Sequence, residues 1–167
     1  MTAIHPRLTV LLAEDDENDI VLIRRILEKL GLLSQLLTVA DGEQALTYFR
    51  ALSIQGDRNR YPWPELVLLD HRMPRVSGLD VLFWLRTQAL FKHLPVLILS
   101  GGLNPQERSI LQRLNALHCH KSCSPGELTQ KLSTCVQATL NGDLDAGSFQ
   151  GPLPSNAANL RTVAARP

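Results

Sequence analysis

Short apolar runs alternate with longer stretches of mixed character along the chain. The runs fall at Leu8 to Ala13, Gln35 to Ala40, Leu66 to Leu69, Pro95 to Leu99 and Ala116 to His120. Runs with so little polar alternation fit strands buried on both faces, the pattern of a parallel sheet. Between them the spacing turns helical. The first such segment sets Ile20, Ile23, Leu27 and Leu30 on one side, with Gly31 where a C-terminal cap belongs. A second runs from Gly42 to about Leu52, and a third from Gly78 to Leu90 turns Leu79, Leu82, Phe83 and Leu90 inward. A fourth follows the turn signal NPQE with Ile110, Leu111 and Leu114. The fifth opens at SPGEL, with Ser124 as N-cap, Pro125 at the first helical position, and Leu128, Leu132, Cys135 and Val136 inward.

Five strands alternating with five helices predict an α/β fold: a doubly wound, five-stranded parallel sheet with right-handed crossovers and helices on both faces. Ligands of such sheets gather beyond the carboxyl ends of the strands, where the strand order reverses. Two segments stand outside the pattern. Ser53 to Pro64 is polar and rich in breakers, and so predicts a long loop before the third strand. From about Asn141 the chain mixes Gly, Pro, Asn and Ala without a core period. The division expected is one domain over residues 1–140 and a flexible extension over 141–167.

Composition changes this picture little. A chain of 167 residues is long enough for one sizeable core. With 44% hydrophobic residues, 20% charged residues and a net charge of +1, it has neither a disordered profile nor that of a basic nucleic-acid binder. Cys119, Cys123 and Cys135 are an odd, late-clustered set, the N-terminal apolar run is too short for a signal peptide, and no stretch is long enough to span a bilayer. The expectation is a cytoplasmic protein with reduced thiols and no membrane partner.

The candidate chemistry lies just past the strand ends. Asp15 and Asp16 follow the first strand, Asp70 ends the third, Ser100 the fourth and Lys121 the fifth. A parallel sheet brings all of these to one edge. Two like charges about 4 Å apart repel by roughly 4 kcal/mol at an effective dielectric near 20, so three gathered carboxylates call for a cation or for raised pKa values. Magnesium suits oxygen ligands and binds through one or two carboxylates together with a phosphate. With Lys121 as a positive charge and Ser100 as a hydroxyl donor, these parts would hold a phosphoryl group, leaving one carboxylate as its nucleophilic acceptor.

The acids of AEDDEND, the stretch LLDHRMPRVSG, the hydroxyl of LILSGG and the later Lys121 fall in the order and spacing of a known family. From about Arg7 to Leu140 the chain resembles the receiver domain of two-component response regulators, whose fold is flavodoxin-like. The resemblance implies a single-domain signalling protein in which Asp70 accepts a phosphoryl group from a sensor histidine kinase or a histidine phosphotransfer protein. It implies that Asp15, Asp16, Asp70 and the backbone carbonyl of Arg72 hold Mg²⁺, that Ser100 bonds a phosphoryl oxygen, and that Lys121 pairs with the phosphate. Pro74 and Gly78 match the family's loop after the acceptor, and the Ser53 to Pro64 loop is similar to that of receivers paired with phytochrome-type kinases. Signalling would run through phosphorylation-dependent binding of a partner protein or phosphorelay, with no catalysis beyond self-phosphorylation and slow loss of the phosphate. Receivers often pair through their fourth and fifth helices and fifth strand, which makes a homodimer compatible with the resemblance.

Some positions depart from the family pattern. Receivers usually follow the lysine with a cis proline, whereas here Ser122 follows Lys121, and a non-proline cis bond costs about 2.5 to 4 kcal/mol. His118 stands where receivers carry a switch residue, and both a switch and a partly exposed edge histidine fit it. A zinc site from His118, His120 and Cys123 is disfavoured, because no second ligand pair accompanies them. Asp16, Glu17 and Asp19 also suit the start of the first helix, where acids favour its dipole. Arg72 would place a long cation at the mouth of the site. A degenerate receiver serving as a constitutive docking module is the competing reading. A phosphohydrolase would need a second acid at Arg72, and nucleotide binding would need a glycine-rich phosphate loop, which the chain lacks.

Overall fold

The computed structural model of the chain describes residues 7–55, 58–121 and 124–141. Ten elements alternate in the order β1 (Leu8–Ala13), α1 (Glu17–Lys29), β2 (Leu33–Val39), α2 (Gly42–Gln55), β3 (Leu66–Asp70), α3 (Gly78–Thr87), β4 (Val96–Ser100), α4 (Pro105–Arg113), β5 (Leu117–His120) and α5 (Pro125–Asn141). The strands form one parallel sheet in the order β2-β1-β3-β4-β5. Strand order therefore reverses between β1 and β3, and this opens a crevice at their carboxyl ends. This is the doubly wound α/β fold that the apolar runs predict.

Alternation along the strands divides the core in two. Leu11, Ala13, Val67, Leu69, Val96 and Ile98 pack with Phe49 of α2, Leu82 of α3 and Leu111 of α4. Val10, Leu12, Leu66, Leu68, Leu97, Leu99 and Cys119 pack with Ile23 and Leu27 of α1 and with Leu128 and Leu132 of α5. β2 is an edge strand, and none of its residues is fully buried.

The boundaries differ from expectation by two residues or more in three places. β2 begins at Leu33, two residues earlier than its apolar run, because pairing with β1 holds it. α2 continues through Gln55 and takes in the start of the predicted loop, with the Ser53 hydroxyl donating to the Phe49 carbonyl at 2.9 Å. α3 ends at Thr87. Gln88 leaves the helix with ψ 121, so the phase of the next turn changes: Leu90 is 52% exposed, and Phe91 is the residue that enters the core against Phe49, Trp63 and Trp84. Gly31 closes α1 at φ +67, where a side chain would be strained. Ser122, Cys123, the side chains of Cys135 and Val136, the Lys121–Ser122 peptide bond and the extension beyond Asn141 lie outside the described residues. No helix among those described is long and apolar enough to cross a membrane.

Candidate functional site

Register fixes which side chains meet at the sheet edge. Ala13 pairs with Leu69, so the next residues along, Glu14 and Asp70, are lateral neighbours. Both continue the phase of the α1/α5 face, and both are buried, Glu14 at 1% exposure and Asp70 at 5%. Lys121 follows β5 in the phase of Cys119 on the same face, and its backbone N–H donates to the Ser100 carbonyl at 2.7 Å. Its ammonium donates to Glu14 Oε2 at 2.7 Å, to Asp19 Oδ2 at 2.8 Å and to Asp70 Oδ1 at 3.1 Å.

Asp15 completes the set. Carboxylate oxygens of Glu14, Asp15 and Asp70 lie within 4.8 Å of one another. Burial pushes the Glu14 carboxyl above its ordinary value, the hydrogen bond from Lys121 opposes that shift, and the Asp70 charge adds to it. For Lys121, burial favours the neutral amine, but hydrogen bonds to Asp19, Glu14 and Asp70 outweigh it and hold the ammonium above the ordinary lysine value. One ammonium against four acids leaves a net negative crevice. Its hard oxygen donors fit a divalent cation of the oxygen-seeking kind.

Asp16, expected beside Asp15 as an ion ligand, is placed at the start of α1. Strand β1 stops at Ala13, so the two residues left at the sheet edge are Glu14 and Asp15, and Asp16 is committed to α1. Its Oδ1 accepts from the backbone N–H groups of Asn18 at 2.8 Å and Asp19 at 3.4 Å, and these bonds hold its carboxyl below the usual range. Glu14, rather than Asp16, is grouped with Asp15 and Asp70. The signal for it is in the sequence: Glu14 continues the alternation of Val10 and Leu12, so an acid stands in a buried phase. The capping role predicts that Asp16→Ala lowers the melting temperature but leaves divalent-ion affinity within about twofold of wild type, as read by calorimetric titration. A collapse of ion affinity would make Asp16 an ion ligand.

The loop after Asp70 is shaped by its neighbours. The His71 N–H donates to the Leu99 carbonyl at 2.7 Å, and the Gly78 N–H returns to the His71 carbonyl at 3.2 Å. A Cβ at Gly78 would collide with the Asp70 carbonyl, so only glycine lets α3 begin this close to β3. Arg75 sits at φ 66 and pairs with Asp41 at 2.8 Å and Glu43 at 2.7 Å, which ties the loop to the start of α2. Arg72 is exposed in this loop.

Ser100 lies in the phase of the opposite face, buried at the end of β4. Its Oγ is 2.9 Å from His118 Nε2 and accepts from the Gly102 N–H at 3.3 Å. Burial, followed by the charges of Arg108 and its other cationic neighbours, holds His118 below its ordinary pKa and favours the neutral imidazole. The two residues that the sequence singles out separately are thus hydrogen-bonded. Next to them, His71 Nε2 meets Glu107 Oε1 at 3.2 Å. His118 and His120 face one side of β5 and buried Cys119 the other. Among the described residues the one group suited to a metal is Glu14, Asp15 and Asp70.

Residues 10–133 match the family described as the response regulator receiver domain. The chain is 36% identical over 98 residues to the probable methanogenesis regulatory protein FilR2 of Methanothrix harundinacea, covering 59% of this chain and 61% of that protein. It is 29% identical over 103 residues to the response regulator Rcp1 of Synechocystis, covering 62% and 68%. Among solved structures, the phosphorylated cyanobacterial phytochrome response regulator RcpA superposes with a TM-score of 0.66 at 27% identity, covering 89% of this chain and 99% of that one. The Mn²⁺-bound form of Rcp1 superposes with a TM-score of 0.60 at 25% identity, covering 89% and 99%.

Proposed function

From the premise that this chain belongs to the response regulator receiver domain family, we propose that it accepts a phosphoryl group on Asp70 and signals through that modification. The observation that carries this reading is the place of Asp70: a buried carboxylate at the strand-order reversal, bonded to Lys121 and grouped with Glu14 and Asp15. The donor is a phosphohistidine of a sensor kinase or of a phosphotransfer protein. An Asp70 oxygen attacks phosphorus, the nitrogen–phosphorus bond breaks, and the departing imidazole takes up a proton. Lys121 turns its ammonium to the phosphoryl oxygens, and the Ser100 hydroxyl donates to one of them. Glu14, Asp15, Asp70 and the Arg72 carbonyl would hold Mg²⁺, which supplies charge neutralisation when bound. The Mn²⁺-bound and phosphorylated relatives support both parts of this reading.

The output is phosphorylation-dependent binding of a partner protein or onward transfer of the phosphoryl group, with no sustained turnover. The test is to incubate the chain with acetyl phosphate and Mg²⁺ and to weigh it intact. A gain of one phosphoryl mass, absent when the divalent ion is chelated, is expected. No gain would turn the reading to a constitutive docking module.

A further inference from the structure

Lys121 is held on three sides, and only two of its partners belong to the carboxylate group that suits an ion. The third is Asp19, whose Oδ2 accepts from the ammonium at 2.8 Å and whose carboxylate is not among the converging oxygens of Glu14, Asp15 and Asp70. From the sequence, Asp19 has a simpler task as one of the acids that suit the first turn of α1. The contact with Lys121 shows a second use for it.

We propose that Asp19 is the positioning residue for Lys121, anchoring the ammonium from α1 so that its other two protons remain directed at the acceptor site. A lysine ammonium has three donors on a flexible four-carbon stem, and ordering that stem costs rotamer freedom. Here the three donors meet three carboxylates, a complete tripod. Glu14 and Asp70 are the partners that an incoming ion and phosphoryl group would compete for. Asp19 stays available to the lysine throughout. The residue after Lys121 is Ser122, so no proline ring restricts the backbone beyond it. Asp19 in turn is fixed by the helix cap, since the Asp16 carboxylate accepts from the Asp19 backbone N–H. A chain of contacts thus runs from the α1 cap through Asp19 and Lys121 to Asp70.

The functional half of this proposal rests on Asp70 being the phosphoryl acceptor, while the anchoring half does not, and the experiment separates them. Asp19→Asn keeps the shape and removes the charge, and Asp19→Glu is the conservative rescue. In metal-free protein, nitrogen NMR of the Lys121 ammonium is expected to show its resonance shifted and broadened in Asp19→Asn, with recovery in Asp19→Glu. With acetyl phosphate and saturating Mg²⁺, adduct formation in Asp19→Asn is expected to slow about tenfold, the size of one lost charge-assisted hydrogen bond, while Mg²⁺ affinity changes less than about twofold. An unmoved ammonium resonance overturns the proposal. So does an unchanged rate, or a Mg²⁺ affinity that falls in step with the rate, which would make Asp19 a ligand. Absence of any adduct on the wild type would instead overturn the acceptor reading and leave the NMR result to decide the anchoring.

Discussion

Asp70→Asn is expected to abolish the phosphoryl adduct and, with divalent ions chelated, to melt no lower than wild type. The first effect is chemical: the amide has the same shape but no carboxylate oxygen to attack phosphorus. The second is electrostatic. Asp70 is buried beside Glu14 and Asp15, and a pair of such charges about 4 Å apart costs roughly 4 kcal/mol at an effective dielectric near 20. Lys121 keeps Glu14 and Asp19 in the variant, so removing one acid relieves repulsion without stranding the ammonium. Glu14, raised mainly by burial and partly by Asp70, then titrates lower. A carboxyl raised in the folded state contributes most below its ordinary value, and that contribution is lost as pH rises through the folded value. The advantage of the variant is therefore expected near neutrality and should fade as the pH is lowered through the carboxylate range. Thermal melts in chelator at both ends of that window measure it. A variant that melts well below wild type near neutrality would contradict the repulsion argument. Added Mg²⁺ should raise the melting temperature of wild type more than that of the variant.

The opposite substitution has the opposite sign. Lys121→Met preserves most of the stem and removes the positive charge that Glu14 and Asp70 share. Stranding buried charges costs about 3 to 5 kcal/mol where both partners are dry, and the figure expected here is about 2 to 3 because water reaches the lysine. Its side chain is 28% exposed, against 0% for Glu14 and 7% for Asp70. Urea denaturation near neutral pH should read this loss, and Mg²⁺ should recover part of it by taking over the neutralising role. The pH dependence follows from the raised lysine pKa. Its stabilisation is complete below the ordinary lysine value and is lost as pH rises through the folded one. The gap between wild type and variant should therefore hold through neutral pH and shrink in strong alkali. In acid it should shrink as well, because protonating Glu14, whose carboxyl is raised by burial, removes a charge left unpaired. A gap that is constant across the whole range would mean that packing, not charge, explains the loss.

How far the sequence reveals these features depends on how local their causes are. β1 is legible to the residue, because a continuous apolar run ended by acids has one local meaning. The start of α3 is equally plain, since Ser77 and Asp80 form a reciprocal cap within four residues. Its end is not. Leu90 and Phe91 are neighbours of equal hydrophobicity, and only the turn at Gln88 decides that the ring goes inward. The same limit separates Glu14 from Asp16. Both are acids past an apolar run; the phase of Glu14 marks it for burial, but the partners each acid meets depend on where β3 pairs with β1 and where α1 takes its cap.

By itself the sequence determined the alternating α/β order, the parallel sheet and the collection of Asp70, Ser100 and Lys121 at one edge, because apolar periodicity and chain direction dictate them. Tertiary structure alone decided which carboxylates share a face, that Ser100 touches His118, and that Asp19 from the first helix reaches a lysine 102 residues further along the chain. Those outcomes turn on register and on side-chain reach across separate elements. Neither quantity has a local signature, so the run of acids after β1 reads as one cluster in sequence and resolves in space into a carboxylate group suited to a cation, a helix cap and a partner of Lys121.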